Sequence, residues 1–271
     1  MTTPTSEFDL VHSNGIFIPH LSPSTVSSFI ENRFGFYQSK VMRAPFKGNH
    51  HTALGQAVEH GVNVWLENPG MKIDYLESAN TKYDEQIADS GTPKAKVIEY
   101  RALIPGMLDL ALRHYKRVFA ETGAVTQHKI ETTLEGVERT MLGYLDFYQE
   151  GLAVRDSKVV GRSPSKLKQA YVLQGATYRH ATGLPVFFDF FITNKTPTHK
   201  EIELSDDDFE FGISYITRAS QVVEEIEVCE SPKRLLELMS FPNLEAFYSP
   251  GEAIAAAKIW GITVPLGYFD K

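Results

Sequence analysis

Cysteine is almost absent from this chain of 271 residues, Cys229 being the only one. A single thiol excludes a disulfide framework and any cluster that needs four cysteine ligands, and it suits a reducing compartment. Cys229 itself reads as structural rather than reactive. Long apolar runs are missing too: no stretch approaches the roughly 20 residues that a membrane helix requires. The opening run from Met1 to Ser6 lacks the charged and then apolar order of a secretory leader. The expectation is a soluble, unexported, cytoplasmic protein that does not engage a membrane. Internal repeats and long low-complexity tracts are also lacking, which excludes a repeat array. So is an excess of positive charge. The net charge of -7 argues against a general affinity for nucleic acid, so any such contact must be local.

What is present suits a globular protein. With 42% hydrophobic residues the chain can bury a sizeable core. We read one domain over 1–271, with a core at about 20–195 and a helical extension at about 196–271. Periodicity and turn residues predict a helix to about residue 39, opened by Ser22 and Pro23, and a second at 51–67. Helices follow between 93 and 121, with Tyr83 to Pro93 as a mobile connection before them. Strands are expected near 126–134, 140–149 and 152–160, then a helix at 164–182 capped by Ser163 and Pro164, and a strand at 186–192. Further helices are expected near 213–227, 231–239 and 250–260, with Ser231-Pro232 and Ser249-Pro250 as starts and Gly261 as a stop. This order implies an α/β fold, a mixed sheet flanked by helices with helical N- and C-terminal embellishments.

The informative segment runs from Gly143 to Lys158. Side chains alternate along a strand, so Leu142, Tyr144, Asp146 and Tyr148 share one face, and Asp156 and Lys158 project together from the next strand. An odd number of turn residues puts both sets on the same face. A three-residue loop, Gln149-Glu150-Gly151, meets that condition because glycine takes the left-handed conformation without steric penalty. A two-residue turn would separate Asp146 from Asp156. Two carboxylates and a lysine so placed can hold a divalent cation against a phosphate. Magnesium takes oxygen ligands and keeps several waters, so one or two carboxylates suffice when phosphate supplies further oxygens. The lysine would orient or deprotonate a water, or offset charge developing on phosphorus.

At these residues the sequence resembles the PD-(D/E)XK nuclease superfamily, and in particular its RecB-like exonuclease branch, whose core reads Gly-x-x-Asp, a turn, then Asp or Glu-x-Lys. Gly143, Asp146, Asp156 and Lys158 fill those positions. The opening helix from Leu21 to Tyr37 is similar to the start of that branch. The helix Leu54 to Gly61 looks like the family's helix that delivers a histidine, which would make His60 a metal ligand beside Asp146, Asp156 and the Ser157 carbonyl. Gln174 and Tyr178 match a Gln-x-x-x-Tyr motif after the lysine, and would support a carboxylate, water or phosphate. Glu131 stands on the strand before the hairpin, where relatives often carry a glutamate. Leu145 replaces the proline of the superfamily's name, and Asp156 stands where many relatives have glutamate. Several relatives hold an iron-sulfur cluster on four cysteines; the first would fall near Asn32, and this chain cannot form one. Ile254, Ala257, Ile259 and Trp260 would occupy the C-terminal part of that position by packing alone.

The resemblance implies a restriction-endonuclease-like core and a magnesium- or manganese-dependent DNA nuclease. An exonuclease of recombination, repair or phage DNA processing is favoured, in a bacterial or phage-infected cell. It would act on linear duplex or single-stranded ends, and the resemblance allows an oligomer. Arg155, Arg162, Lys166, Lys168 and Arg179 cluster around the site and would contact DNA, while the acidic segment 201–227 would repel it or meet a protein partner. A structure-selective endonuclease, a catalytically silent module that binds DNA ends or a partner, and a hydrolase of another phosphoester are the alternatives.

Overall fold

The computed structural model describes residues 18, 20–40, 48–88 and 90–231, with 234, 235 and 239. The helix expected at 250–260 and most of the one at 231–239 lie outside them. Two helices come first, α1 (Pro23–Glu31) and α2 (Arg33–Lys40), then α3 (His50–Glu67), α4 (Tyr75–Ile87), α5 (Lys94–Arg101) and α6 (Ile104–Val118). Strands β1 (Val125–Thr132), β2 (Met141–Gln149) and β3 (Ala153–Val160) follow. Helix α7 (Gln169–Thr182), β4 (Val186–Ile192), β5 (Thr198–Glu203) and α8 (Asp206–Val228) complete the order. Contacts divide the chain into two compact units, one of Met1–Pro19, Thr25–Pro45 and Gln221–Lys271, the other of His20–Ser24 and Phe46–Ser220. The first unit buries Val26, Phe29, Phe34, Phe36, Tyr37, Val223 and Ile226. Its helix does not run unbroken to residue 39: the chain breaks at Asn32, whose carboxamide accepts the Gly35 N–H at 2.9 Å and so caps α2.

The second unit holds a five-stranded sheet in the order β1-β2-β3-β4-β5. β3 and β4 are parallel and the other neighbours antiparallel, so the sheet is mixed. The parallel pair needs a crossover, and α7 supplies it. A buried cluster of α3, α4 and α6 residues, including Leu54, Val58, Tyr83 and Tyr115, takes Phe147 and Phe191 from the sheet. A second cluster sets Val172 and Tyr178 of α7 against Leu145, Phe188 and Phe190. Helices therefore pack against the sheet through two apolar clusters, the α/β arrangement that the sequence implies.

Several local expectations are corrected. α4 replaces the connection expected from Tyr83: Tyr83 and Ile87 are buried on it, and Asp74 caps it by accepting the Leu76 and Glu77 N–H groups at 3.0 and 2.9 Å. α7 begins at Gln169, because the Pro164 carbonyl accepts the Lys200 ammonium at 2.7 Å rather than a helical N–H. β5 is an added edge strand. The hairpin has three loop residues, but they are Glu150, Gly151 and Leu152, since Gln149 still pairs with Ala153. Gly151 supplies the left-handed turn at φ 68°.

One face of β3 is neutralised by a buried ion network. Asp189 lies beside Ser157 in the parallel ladder and shares the face of Arg155. The Arg155 guanidinium donates to both Asp189 oxygens, at 3.1 and 3.0 Å, and to Glu201 at 2.8 Å. His114 of α6 and His199 of β5 each bring Nε2 to 3.0 Å from the same Asp189 oxygen. Burial alone would raise the Asp189 carboxyl, but the two histidines and Arg155 outweigh it and hold the group well below the usual range. Arg155 is buried in this network and does not join a DNA-facing collar. Asp189→Asn is expected to lower unfolding free energy by about 3 kcal/mol, because it removes the buried charge that pairs with the guanidinium and leaves Glu201 as its one anionic partner. Its contribution is fully present above the ordinary aspartate value near 3.9 and fades as pH falls through the lower folded value. Urea titrations of both proteins at neutral and acid pH measure the difference.

Candidate active site

The two aspartates meet where β2 and β3 part. The antiparallel ladder pairs Gln149 with Ala153, Tyr148 with Val154 and Phe147 with Arg155, and there it ends. The next pair in register would set Asp146 opposite Asp156, and like charges directly opposed are unfavourable. Instead Asp146 reaches across: its Oδ2 accepts the Ser157 N–H at 2.8 Å. Asp156, wholly buried, forms an ion pair with the Lys158 ammonium two residues on. Apart from that ammonium, neither Asp156 oxygen has a hydrogen-bond partner.

α3 adds a third acid. Glu59 lines the same cavity as Asp146. Gln127 of β1 donates to Glu59 Oε1 at 2.6 Å, and the Asn63 amide also holds it. Burial, and then the neighbouring carboxylates, push the Asp146 carboxyl well above the usual range and raise that of Glu59. Burial also raises Asp156, although Lys158 pulls against it. For Lys158 burial opposes the charge, but Asp156 and Asp146 outweigh it and keep the ammonium above the ordinary lysine range. The result is three carboxyl groups whose ionised forms disfavour one another, with one cation among them.

Glu59, Asp146, Gln174 and Tyr178 line a cavity of about 530 Å³, closed on another side by His20, Ser22 and Ser24. The Leu142 N–H donates to the Leu21 carbonyl at 2.8 Å, and this short bridge beside Met141 fixes that wall. Gln174 Nε2 donates to the Tyr178 hydroxyl at 2.7 Å, which donates to the Tyr144 carbonyl at 2.8 Å. Gly143 makes this possible: a Cβ there would lie 3.1 Å from the Tyr178 ring. The motif glycine therefore serves a close approach rather than a turn.

The structure thus brings together Asp146, Asp156, Lys158, Gln174 and Tyr178, with the Ser157 backbone joining the strands through its N–H. His60 lines the same cavity, but its Nε2 lies 3.1 Å from Ser78 Oγ on α4, while Glu59 is the α3 residue that faces the aspartates. Sequence reasoning passed over Glu59. The polar series Gln56, Glu59 and Asn63, beside the apolar Leu54, Val58 and Val62, is the signal that marks it. Glu131 pairs with Lys129 at 2.6 Å on the exposed side of β1. Of the basic residues, Arg162, Lys166 and Lys168 are exposed, and Arg179 pairs with Asp206 at 2.7 Å.

Three oxygen-donor carboxylates, one of them buried with Lys158 as its partner, suit a hard divalent cation. Among the described residues, His114, Asp189 and His199 form the group of His, Cys, Asp or Glu side chains whose ligand atoms all lie within 4.8 Å of one another. In that trio Asp189 is already paired with Arg155 on the neutralised face, whereas Asp156 has Lys158 as its charged partner.

No family model matches the sequence, and no curated relative is matched. Among solved structures the chain is similar to a protein of Eubacterium rectale provisionally described as an exonuclease. The TM-score is 0.54 at 18% identity, over 86% of this chain and 94% of that one. A looser match is the alkaline exonuclease LHK-Exo of Laribacter hongkongensis, with a TM-score of 0.32 at 16% identity over 70% of this chain and 98% of that one. The first likeness is one of fold, a restriction-endonuclease-like α/β core.

Asp146→Asn removes one of the three repelling charges and keeps an oxygen for the Ser157 N–H. In metal-free protein at neutral pH it is expected to raise stability by about 1 kcal/mol. A carboxyl with a raised folded value opposes folding above that value, so the gain shrinks as pH falls toward the ordinary carboxylate range. Thermal unfolding across pH measures it. Added Mg²⁺ should raise the melting temperature of the wild type and leave that of the variant almost unchanged.

Proposed function

We propose that this chain is a divalent-metal-dependent DNA nuclease, an exonuclease of the RecB-like branch of the PD-(D/E)XK superfamily. The observation that carries the reading is the placement of Glu59 and Asp146 on one cavity wall, with Asp146 accepting the Ser157 N–H beside the buried Asp156–Lys158 ion pair. Asp146, Asp156 and Glu59 would hold Mg²⁺ or Mn²⁺, with the Ser157 carbonyl at the edge of that set. When bound, the cation makes water a better nucleophile and offsets charge that develops on the phosphate. Lys158 Nζ stays protonated among the acids and donates to the water or to a non-bridging phosphate oxygen as negative charge grows there. Gln174, fixed by its bond to Tyr178, presents the rest of its amide to a phosphate in the cavity. His60 contributes to the cavity wall.

Arg162, Lys166 and Lys168 are exposed and free to meet the sugar-phosphate backbone. The provisional description of the Eubacterium rectale protein agrees with an exonuclease rather than an endonuclease. Recombination, repair or phage DNA processing in a cytoplasm is the setting such an activity would serve, and the acidic face of α8 suits a protein partner rather than DNA. Among the described residues no helix is long and apolar enough to cross a membrane.

Purified protein incubated with linear duplex, closed circular duplex and single strands, in Mg²⁺, Mn²⁺ or chelator, tests the reading. Loss of linear DNA with circles intact and none in chelator is expected. Nicking of closed circles would favour a structure-selective endonuclease, and binding without cleavage in either metal would favour a silent module. Lys158→Ala is expected to reduce cleavage by at least about 10³-fold, in line with loss of a principal charge-stabilising group, with DNA binding nearly unchanged in a gel-shift assay. Equal turnover by the variant would remove Lys158 from the mechanism.

A further inference from the structure

Gln127 is the only non-glycine among the described residues with a positive φ, at 49°. Left-handed backbone is unfavourable for a residue with a Cβ, and Asn or Gly is its usual occupant. The conformation inserts nothing into the sheet, because Thr126 still pairs with Phe147 and His128 with Leu145 in one register. It lies at the position that would face Asp146, and there the recorded pairing skips.

Its effect is on side-chain direction. Successive residues of a regular strand point to opposite faces. Here Thr126 Oγ1 donates to Glu67 at 2.6 Å and Gln127 Nε2 donates to Glu59 at 2.6 Å, so two neighbours on β1 reach the same helix, α3. The left-handed backbone at Gln127 falls at one of these two contacts. The Gln127 side chain meets Glu59, the α3 carboxylate that lines the cavity with Asp146. It holds the Glu59 carboxylate through Oε1.

We infer that Gln127 is a positioning residue for the cation site: its left-handed backbone and its amide together fix the Glu59 carboxylate beside Asp146 and Asp156. The inference rests on the reading of these acids as a metal-binding set, and a binding measurement on the full chain separates the two. Gln127→Asn tolerates the left-handed conformation and keeps an amide, but its arm is one methylene too short for Glu59. Gln127→Gly removes the arm and the strain together. Thr126→Val cuts the other tie to α3 and leaves Glu59 alone.

Calorimetric titration with Mn²⁺ and thermal unfolding without metal are the two readouts. The expected result is Mn²⁺ affinity about tenfold weaker in Gln127→Asn and Gln127→Gly, as for loss of a charge-assisted hydrogen bond, with melting temperatures equal to or above that of the wild type. Thr126→Val should bind Mn²⁺ like the wild type. Wild-type affinity in both Gln127 variants would overturn the positioning role and leave the nuclease reading standing. A fall in melting temperature with unchanged affinity would make Gln127 a structural residue and overturn the role equally. No Mn²⁺ binding by the wild type would overturn both.

Discussion

Two carboxylates of like charge on adjacent strands, Asp146 and the fully buried Asp156, are the constraint from which the rest of this site follows. Had the β2–β3 ladder continued past Phe147 and Arg155, Asp146 and Asp156 would stand opposite each other with every backbone group satisfied. The strands part there instead, and the separation leaves the Ser157 N–H without a strand partner. Asp146 accepts it, which ties the strands together through a side chain and points the carboxylate along the gap. The cavity opens at this break in the ladder.

β3 solves the problem of buried charge in two ways on its two faces. On one, Asp189 is surrounded by Arg155, His114 and His199 and is held ionised by them. On the other, Asp156 has Lys158 alone, while Asp146 and Glu59 add repulsion. The first arrangement secures β3 against β4, β5 and α6. The second leaves the carboxyl groups with one ammonium, Lys158, to offset them. Three consecutive residues, Arg155, Asp156 and Ser157, serve both faces, so the network around Asp189 holds still the strand on which the acids ride.

Much of this was legible in the sequence because strand alternation is strict. An odd loop had to put Asp146 and Asp156 on one face, and a shift of the loop by one residue, to Glu150-Gly151-Leu152, left that parity intact. Gln174 and Tyr178 were legible through their resemblance to a Gln-x-x-x-Tyr motif. Glu59 and His60 were not separable in this way, since adjacent helical positions differ by 100° and only packing fixes which of them turns inward. Arg155 counted as a surface cation because its partner Asp189 is thirty-four residues away in sequence and meets it only through the parallel pairing of β3 with β4. The left-handed Gln127 has no sequence mark at all, for its conformation answers to the helix beside it. α4 could have been found from Asp74 and Glu77, a start signal of the Asp-x-x-Glu kind.

The turn at Gln127 also bears on how the sheet ends. β1 stands at one end of the five strands, and among the described residues no further strand pairs with it. A straight border of unused N–H and C=O groups invites another chain to add itself and begin an aggregate. One residue with inverted backbone breaks that border near its middle, and the charged Lys129 and Glu131 guard what remains. The same distortion that aims an amide at the acids therefore also makes the outermost strand a poor template for self-association.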